Sequence, residues 1–152
     1  MGLNSYNKIL FLDIDGVLNS DRFHRTIMVY NFPHGMEIDP KAIALLKSFL
    51  DTYQEIKIVI SSSWRDTLSI NQFNELFATH GIQDRVIDLT NSDMEKVKSI
   101  ELWINENNPS HFVIIDDDQL FDLLHRMHRF QIKTSMGLGL QESHIEAIKL
   151  FF

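Results

Sequence analysis

Short runs of Ile, Val, Leu and Phe punctuate the chain at Ile9–Leu12, Ile56–Ile60, Val86–Leu89 and Phe112–Ile115, with a weaker run at Phe130–Ile132. They are apolar with little alternation, the pattern of strands buried on both faces. The stretches between them carry helical spacing. Asp39-Pro40 supplies a cap and a first-turn proline ahead of Ile43, Leu46, Phe49 and Leu50. Asn71–Thr79 repeats apolar residues at Phe73, Leu76 and Phe77 and stops at Gly81. Val97, Ile100, Leu102, Trp103 and Ile104 mark another helix, ending near Asn108-Pro109, and Leu120–Met127 and Glu142–Leu150 are expected to be the last two. Strands alternating with helices predict an α/β fold, a three-layer Rossmann-like domain around a mostly parallel five-stranded sheet. With no low-complexity stretch and no long-period repeat, a single domain over residues 1–152 is expected.

Composition narrows the chemistry. The 152 residues are 44% hydrophobic, enough for one domain with a real core and too few for a second of any size. The absence of cysteine excludes a disulfide framework, a thiolate metal site and a cysteine nucleophile, so a metal would be held by carboxylates, histidines or carbonyls. A net charge of -7 argues against holding nucleic acid by charge alone but leaves room for a local basic patch. The apolar run Ile9–Leu12 stops at an acid, too short for a signal peptide, and no run approaches the roughly eighteen residues of a membrane span. A cytoplasmic protein that binds no membrane is expected.

The polar residues fall in a pattern of their own. Apolar runs break abruptly at Asp13, Ser61 and Asp116. In a parallel sheet these breaks lie along one edge, where ligands bind, so Asp13, Asp15, Ser61, Asp116 and Asp117 are expected to converge on one crevice. Taken singly, an acid after a strand is an ordinary turn or cap residue. Gathered together, carboxylates repel and raise one another's pKa unless a cation neutralises them, and an all-oxygen set suits Mg²⁺. In Asp13-Ile14-Asp15-Gly16, a tight turn at the glycine would let two carboxylates share one site, one attacking phosphorus while the other moves a proton.

These segments match a known family. Lys8–Asn19, containing Asp-Ile-Asp-Gly-Val, resembles the first motif of the haloacid dehalogenase superfamily, in its phosphotransferase branch in particular. Ile58–Arg65 resembles the second motif, and Phe112–Asp118 the acidic fourth. The later pattern, through the helix at Ile100–Ile104 to Gly139-Leu140, is similar to small domains of RNA-repair and phage-type proteins, and polynucleotide phosphatases belong to the same superfamily. The resemblance implies that Asp13 is the nucleophile and Asp15 the general acid and base, whose backbone carbonyl also ligates Mg²⁺. Ser61 would hold the phosphoryl oxygens, and Asp116 and Asp117 would complete the metal shell, with Asp117 the direct ligand. For the third-motif lysine the chain offers Lys96 and Lys98, of which Lys96, one turn before Ile100, is preferred.

Other residues stay open. Arg65 either reaches a substrate phosphate bidentately or pairs with a surface acid. Trp64 reads as core or crevice wall before it reads as a stacking platform. The superfamily's cap insertions have no room here, since Leu18–Ile38 and Asp66–Glu95 are too short, so an open site is expected to take a large substrate such as a nucleic-acid end or a phosphoprotein. Within Leu18–Ile38, the residues Arg22, Phe23, His24, Arg25, Tyr30 and His34 could form a flap suited to a phosphate-rich or base-bearing ligand. The basic stretch His125–Arg129 reads more simply as a solvated helix end. The expectation is a Mg²⁺-dependent phosphomonoester hydrolase working through an aspartyl-phosphate, the alternatives being a small-molecule phosphatase and a catalytically silent phosphate-sensing module.

Overall fold

The strand Lys8–Leu12 (β1) forms the spine of the molecule, because Ile9, Leu10, Phe11 and Leu12 are all inaccessible to solvent. It pairs in parallel with Lys57–Ile60 (β2) on one side and His111–Asp116 (β4) on the other. Val86–Leu89 (β3) and Gln131–Lys133 (β5) are the edges of an all-parallel sheet of order β3-β2-β1-β4-β5. The structure, a computed structural model, describes residues 7–29 and 37–152.

Alternation along the strands divides the core into two layers. Leu10, Leu12, Ile58, Ile60, Val113 and Ile115 pack under the helices Pro40–Thr52 (α2), Ile70–Ala78 (α3) and Glu142–Lys149 (α5). Ile9, Phe11, Val59 and Ile114 face the helix Lys96–Asn107 (α4), through Ile100 and Trp103. The expected three-layer α/β architecture is therefore present. Asp39 caps α2 as its sequence foretells, its carboxylate accepting Lys41 N–H at 2.9 Å. The chain runs from β1 outward to β3, then recrosses to β4. That reversal opens a crevice at the carboxyl ends of β1 and β4.

Two elements differ from expectation. The helix expected over Leu120–Met127 is absent; the segment is a series of turns, with His125 N–H on Asp122 O at 2.9 Å and His128 N–H on His125 O at 3.0 Å. Side chains take up backbone groups along the segment: Gln131 Oε1 accepts Leu120 N–H at 3.1 Å, and Gln119 Nε2 donates to Phe121 O at 2.6 Å. Phe121 and Met127 are buried all the same, while Leu124 is 97% exposed, so the apolar spacing marked two anchors rather than a helical face. The basic stretch His125–Arg129 is thus no α-helix end.

A helix not anticipated, Asp21–Val29 (α1), follows the first strand. Its first amides are satisfied from far along the chain, Asp21 N–H by Met136 O at 2.8 Å and Arg22 N–H by Gly137 O at 3.1 Å. The local signal for this start is Ser20, whose Oγ accepts Phe23 N–H at 3.1 Å; the distant carbonyls give none. Arg22 and Arg25 are exposed on it, Phe23 and His24 half-buried; Tyr30 and His34 lie outside the described residues. Among the described residues no cap domain is seen, and no helix is long and apolar enough to cross a membrane.

Candidate active site

The crevice is assembled from strand ends. Asp13 follows β1 directly, its N–H donating to Ile115 O at 3.1 Å, and Ser61 follows β2, its N–H donating to Leu12 O at 3.0 Å. Asp116 closes β4 and is wholly buried. These ladder-like bonds continue the sheet by one residue and fix the side chains that leave it. Carboxylate oxygens of Asp13, Asp116 and Asp117 lie within 4.8 Å of one another.

Lys96, the first residue of α4, reaches into this group, with Nζ 2.8 Å from Asp116 Oδ2 and 3.5 Å from Asp13 Oδ1. Lys98 turns outward to Glu95 at 3.5 Å, both largely exposed, and takes no part. Asp116 has both oxygens engaged, since Oδ1 accepts Asp118 N–H at 2.9 Å while Oδ2 holds the lysine.

Electrostatics follow from this crowding. Burial, and next the charge of Asp116, push the Asp13 carboxyl up to about 8, although Lys96 pulls the other way. Asp117 is raised as well, chiefly by burial, and its carboxyl is close enough to Asp13 to share a hydrogen bond. Burial works against the Lys96 ammonium, yet Asp13 and Asp116 outweigh it and raise its pKa. Three carboxylates against one ammonium leave two negative charges. The donor set therefore fits a hard divalent cation, and without one a shared proton between Asp13 and Asp117 supplies part of the missing positive charge.

Gly16 makes the turn possible. It has φ +80°, and a Cβ there would lie 2.5 Å from Asp117 Cγ. Its N–H donates to Asn19 Oδ1 at 3.0 Å and its carbonyl accepts Thr134 Oγ1 at 2.6 Å, which fastens the first loop to the end of β5. Asp15 stands apart from the three-carboxylate group. Its carboxylate accepts from Asn19 Nδ2 at 2.8 Å and from Trp64 Nε1 at 3.2 Å.

Beyond Ser61 the chain forms a 3-10 turn, Ser63–Asp66, capped by Ser62. Among the described residues, Arg65 bonds neither a surface acid nor another side chain; its Nη1 donates to Ser62 O at 2.7 Å, and its buried Nε has no partner there. The Ser61 hydroxyl is likewise buried without a partner. Asp13, Asp15, Ser63, Arg65, Lys96, Asp117, Asp118 and Met136 line an open cavity of about 330 Å³. Sequence reasoning missed Asn19, Thr134 and the indole donor of Trp64. Only Trp64 gave a signal, since a buried indole N–H near a strand end needs an acceptor.

A family model described as "HAD domain in Swiss Army Knife RNA repair proteins" matches residues 9–145. No curated protein and no solved structure matches the chain.

Proposed function

The chain belongs to the family of HAD domains in Swiss Army Knife RNA repair proteins, and on that premise we propose that it is a Mg²⁺-dependent phosphomonoester hydrolase acting through an aspartyl-phosphate on a nucleic-acid end. The observation that carries this reading is the buried Asp13, set between Lys96 at 3.5 Å and two further carboxylates, with the unpartnered Ser61 hydroxyl on the neighbouring strand end. A partly compensated group of this kind is costly to fold and is typical of sites that bind a cation and an anion together.

In this mechanism Asp13 and Asp117 would hold Mg²⁺ together with the Asp15 backbone carbonyl, while Asp116, its oxygens already occupied, would fix Lys96. Bound there, Mg²⁺ would neutralise the phosphoryl oxygens as they approach the carboxylates. Ser61 Oγ and Lys96 Nζ orient the phosphoryl group, and Arg65 adds positive charge at the cavity wall. An Asp13 oxygen attacks phosphorus; the bond to the leaving oxygen breaks, and Asp15 delivers its proton to that oxygen. Asp15 then takes a proton from water as the water oxygen attacks phosphorus. The phosphorus–Asp13 bond breaks, releasing phosphate and restoring both acids.

The open mouth favours a substrate larger than a metabolite. Arg22 and Arg25 on α1 are exposed cations that a nucleic-acid strand could meet. Hydrolysis of an aryl phosphate with and without Mg²⁺, repeated with Asp13→Asn, tests the chemistry, and full activity in that variant overturns it. A panel of phosphorylated oligonucleotides, mononucleotides and phosphopeptides tests the substrate class, with preference for oligonucleotides expected. Preference for mononucleotides would return the alternative of a small-molecule phosphatase.

A further inference from the structure

The short turn after Ser61 ties the second strand end to the first. Trp64 Nε1 lies 3.2 Å from both Asp15 oxygens, and Asn19 Nδ2 lies 2.8 Å from Oδ1. Neither donor is free to wander. Trp64 is 6% exposed, its ring set in the apolar layer beneath α2 and α3 and its backbone N–H donating to Ser62 Oγ at 3.2 Å. Asn19 is buried, spanning Gly16 N–H at 3.0 Å and Glu37 O at 3.3 Å. An aspartate two residues from the nucleophile would otherwise be free to turn its carboxylate toward a cation bound between Asp13 and Asp117. The indole and the amide hold it out of that group.

We infer that Trp64 is a positioning residue, whose indole N–H, with Asn19, fixes the Asp15 carboxyl as the proton carrier and keeps it from serving as a metal ligand. Oδ1 takes the Asn19 amide and a share of the indole. Oδ2, which has the indole contact alone, is the oxygen that faces the leaving group. This assignment rests on the phosphatase reading above.

The test uses Trp64→Phe, which keeps an aromatic ring and removes the donor. Proton delivery matters little when the leaving group is an aryl oxide and greatly when it is an alkoxide. In kcat/KM, which reports the phosphorylation step and not the later attack of water, the variant should therefore stay within about threefold on an aryl phosphate and lose about tenfold to a hundredfold on an alkyl phosphate. In an Asp15→Asn background the same substitution should add nothing. Equal losses on both substrates, or full additivity, would make Trp64 a core residue and nothing more. A second measurement does not depend on catalysis. The chain has two tryptophans, and the Trp103 indole, bonded to Asp88 Oδ2 at 2.7 Å, is an internal control. Asp15→Asn should move the Trp64 indole N–H resonance and leave that of Trp103 in place; an unmoved Trp64 resonance overturns the clamp. Absence of Mg²⁺-dependent hydrolysis in the unmodified protein would instead overturn the phosphatase reading, and the catalytic half of this inference with it.

Discussion

Gly16 and Asp117 meet with no room between them: a Cβ on the glycine would lie 2.5 Å from Asp117 Cγ and 2.6 Å from its Oδ2. The turn after β1 and the acid after β4 are thus parts of one surface. Gly16→Ala is expected to cost about 1–2 kcal/mol from the left-handed φ alone, and more as Asp117 is displaced. Because the displaced group is a proposed ligand, apparent Mg²⁺ affinity should fall further than a melting shift of that size implies. Calorimetric titration beside thermal melting checks this, and a variant that loses stability while binding Mg²⁺ normally would contradict the ligand assignment.

The two lysines of α4 give a controlled comparison. Lys96 is buried against Asp116 and Asp13, whereas Lys98 pairs with Glu95 in solvent. Lys96→Met should lower phosphatase activity by about 10²–10³-fold, the size of effect seen when one preorganised electrostatic contact is removed. It should also destabilise the metal-free protein, since the acids lose the one ammonium near them among the described residues. Lys98→Met should leave both properties within about twofold, as expected of an exposed ion pair. Steady-state kinetics of the pair decide the point, and a comparable loss in both would remove Lys96 from the mechanism.

Stability of the metal-free protein should depend on pH with a definite sign. The Asp13 carboxyl titrates near 3.8 when unperturbed and is pushed up to about 8 in the fold. Between those values the folded protein keeps a proton that the unfolded chain has released, so stability is greatest at the acidic end and falls as pH rises through about 8. Mg²⁺ would take the place of that proton, and its stabilising effect should grow over the same interval. Melting curves across this range, with and without Mg²⁺, test both statements. Asp13→Asn should flatten the metal-free profile, and a metal-free protein that gains stability with rising pH would contradict the assignment.

How much of this was legible in the sequence depended on whether the cause was local. The β1 run Ile9–Leu12 ends at Asp13, and Asp39-Pro40 announces α2, because burial on two faces and capping are written in adjacent residues. The convergence of Asp13, Ser61 and Asp116 followed from parallel topology alone. Between Lys96 and Lys98 the sequence expressed only a preference, since both stand at the start of one helix and rotation about its axis decides which points inward. The missing helix at Leu120–Met127 and the unexpected α1 share one physical reason. In each, backbone groups are satisfied by partners outside the segment, Gln131 for the first and the carbonyls of Met136 and Gly137 for the second. The same holds for Thr134, whose hydroxyl meets Gly16 across most of the chain.

Ser61 offers the sharpest separation of folding from function. Among the described residues its hydroxyl is buried with no partner, an arrangement that destabilises a fold. Ser61→Ala removes the orphan oxygen, leaves the backbone bond to Leu12 O untouched and opens no cavity of consequence. The variant should melt at the same temperature as the parent or higher, with a gain of up to about 1 kcal/mol. If the hydroxyl instead waits for a phosphoryl oxygen, the same substitution should weaken binding of inorganic phosphate and reduce kcat/KM by about tenfold or more. Stability and activity would then move in opposite directions from the loss of one atom, as they do where a site is kept unsatisfied for its ligand. A Ser61→Ala protein that is less stable yet fully active would show that the hydroxyl serves the fold and that the phosphoryl group is held elsewhere.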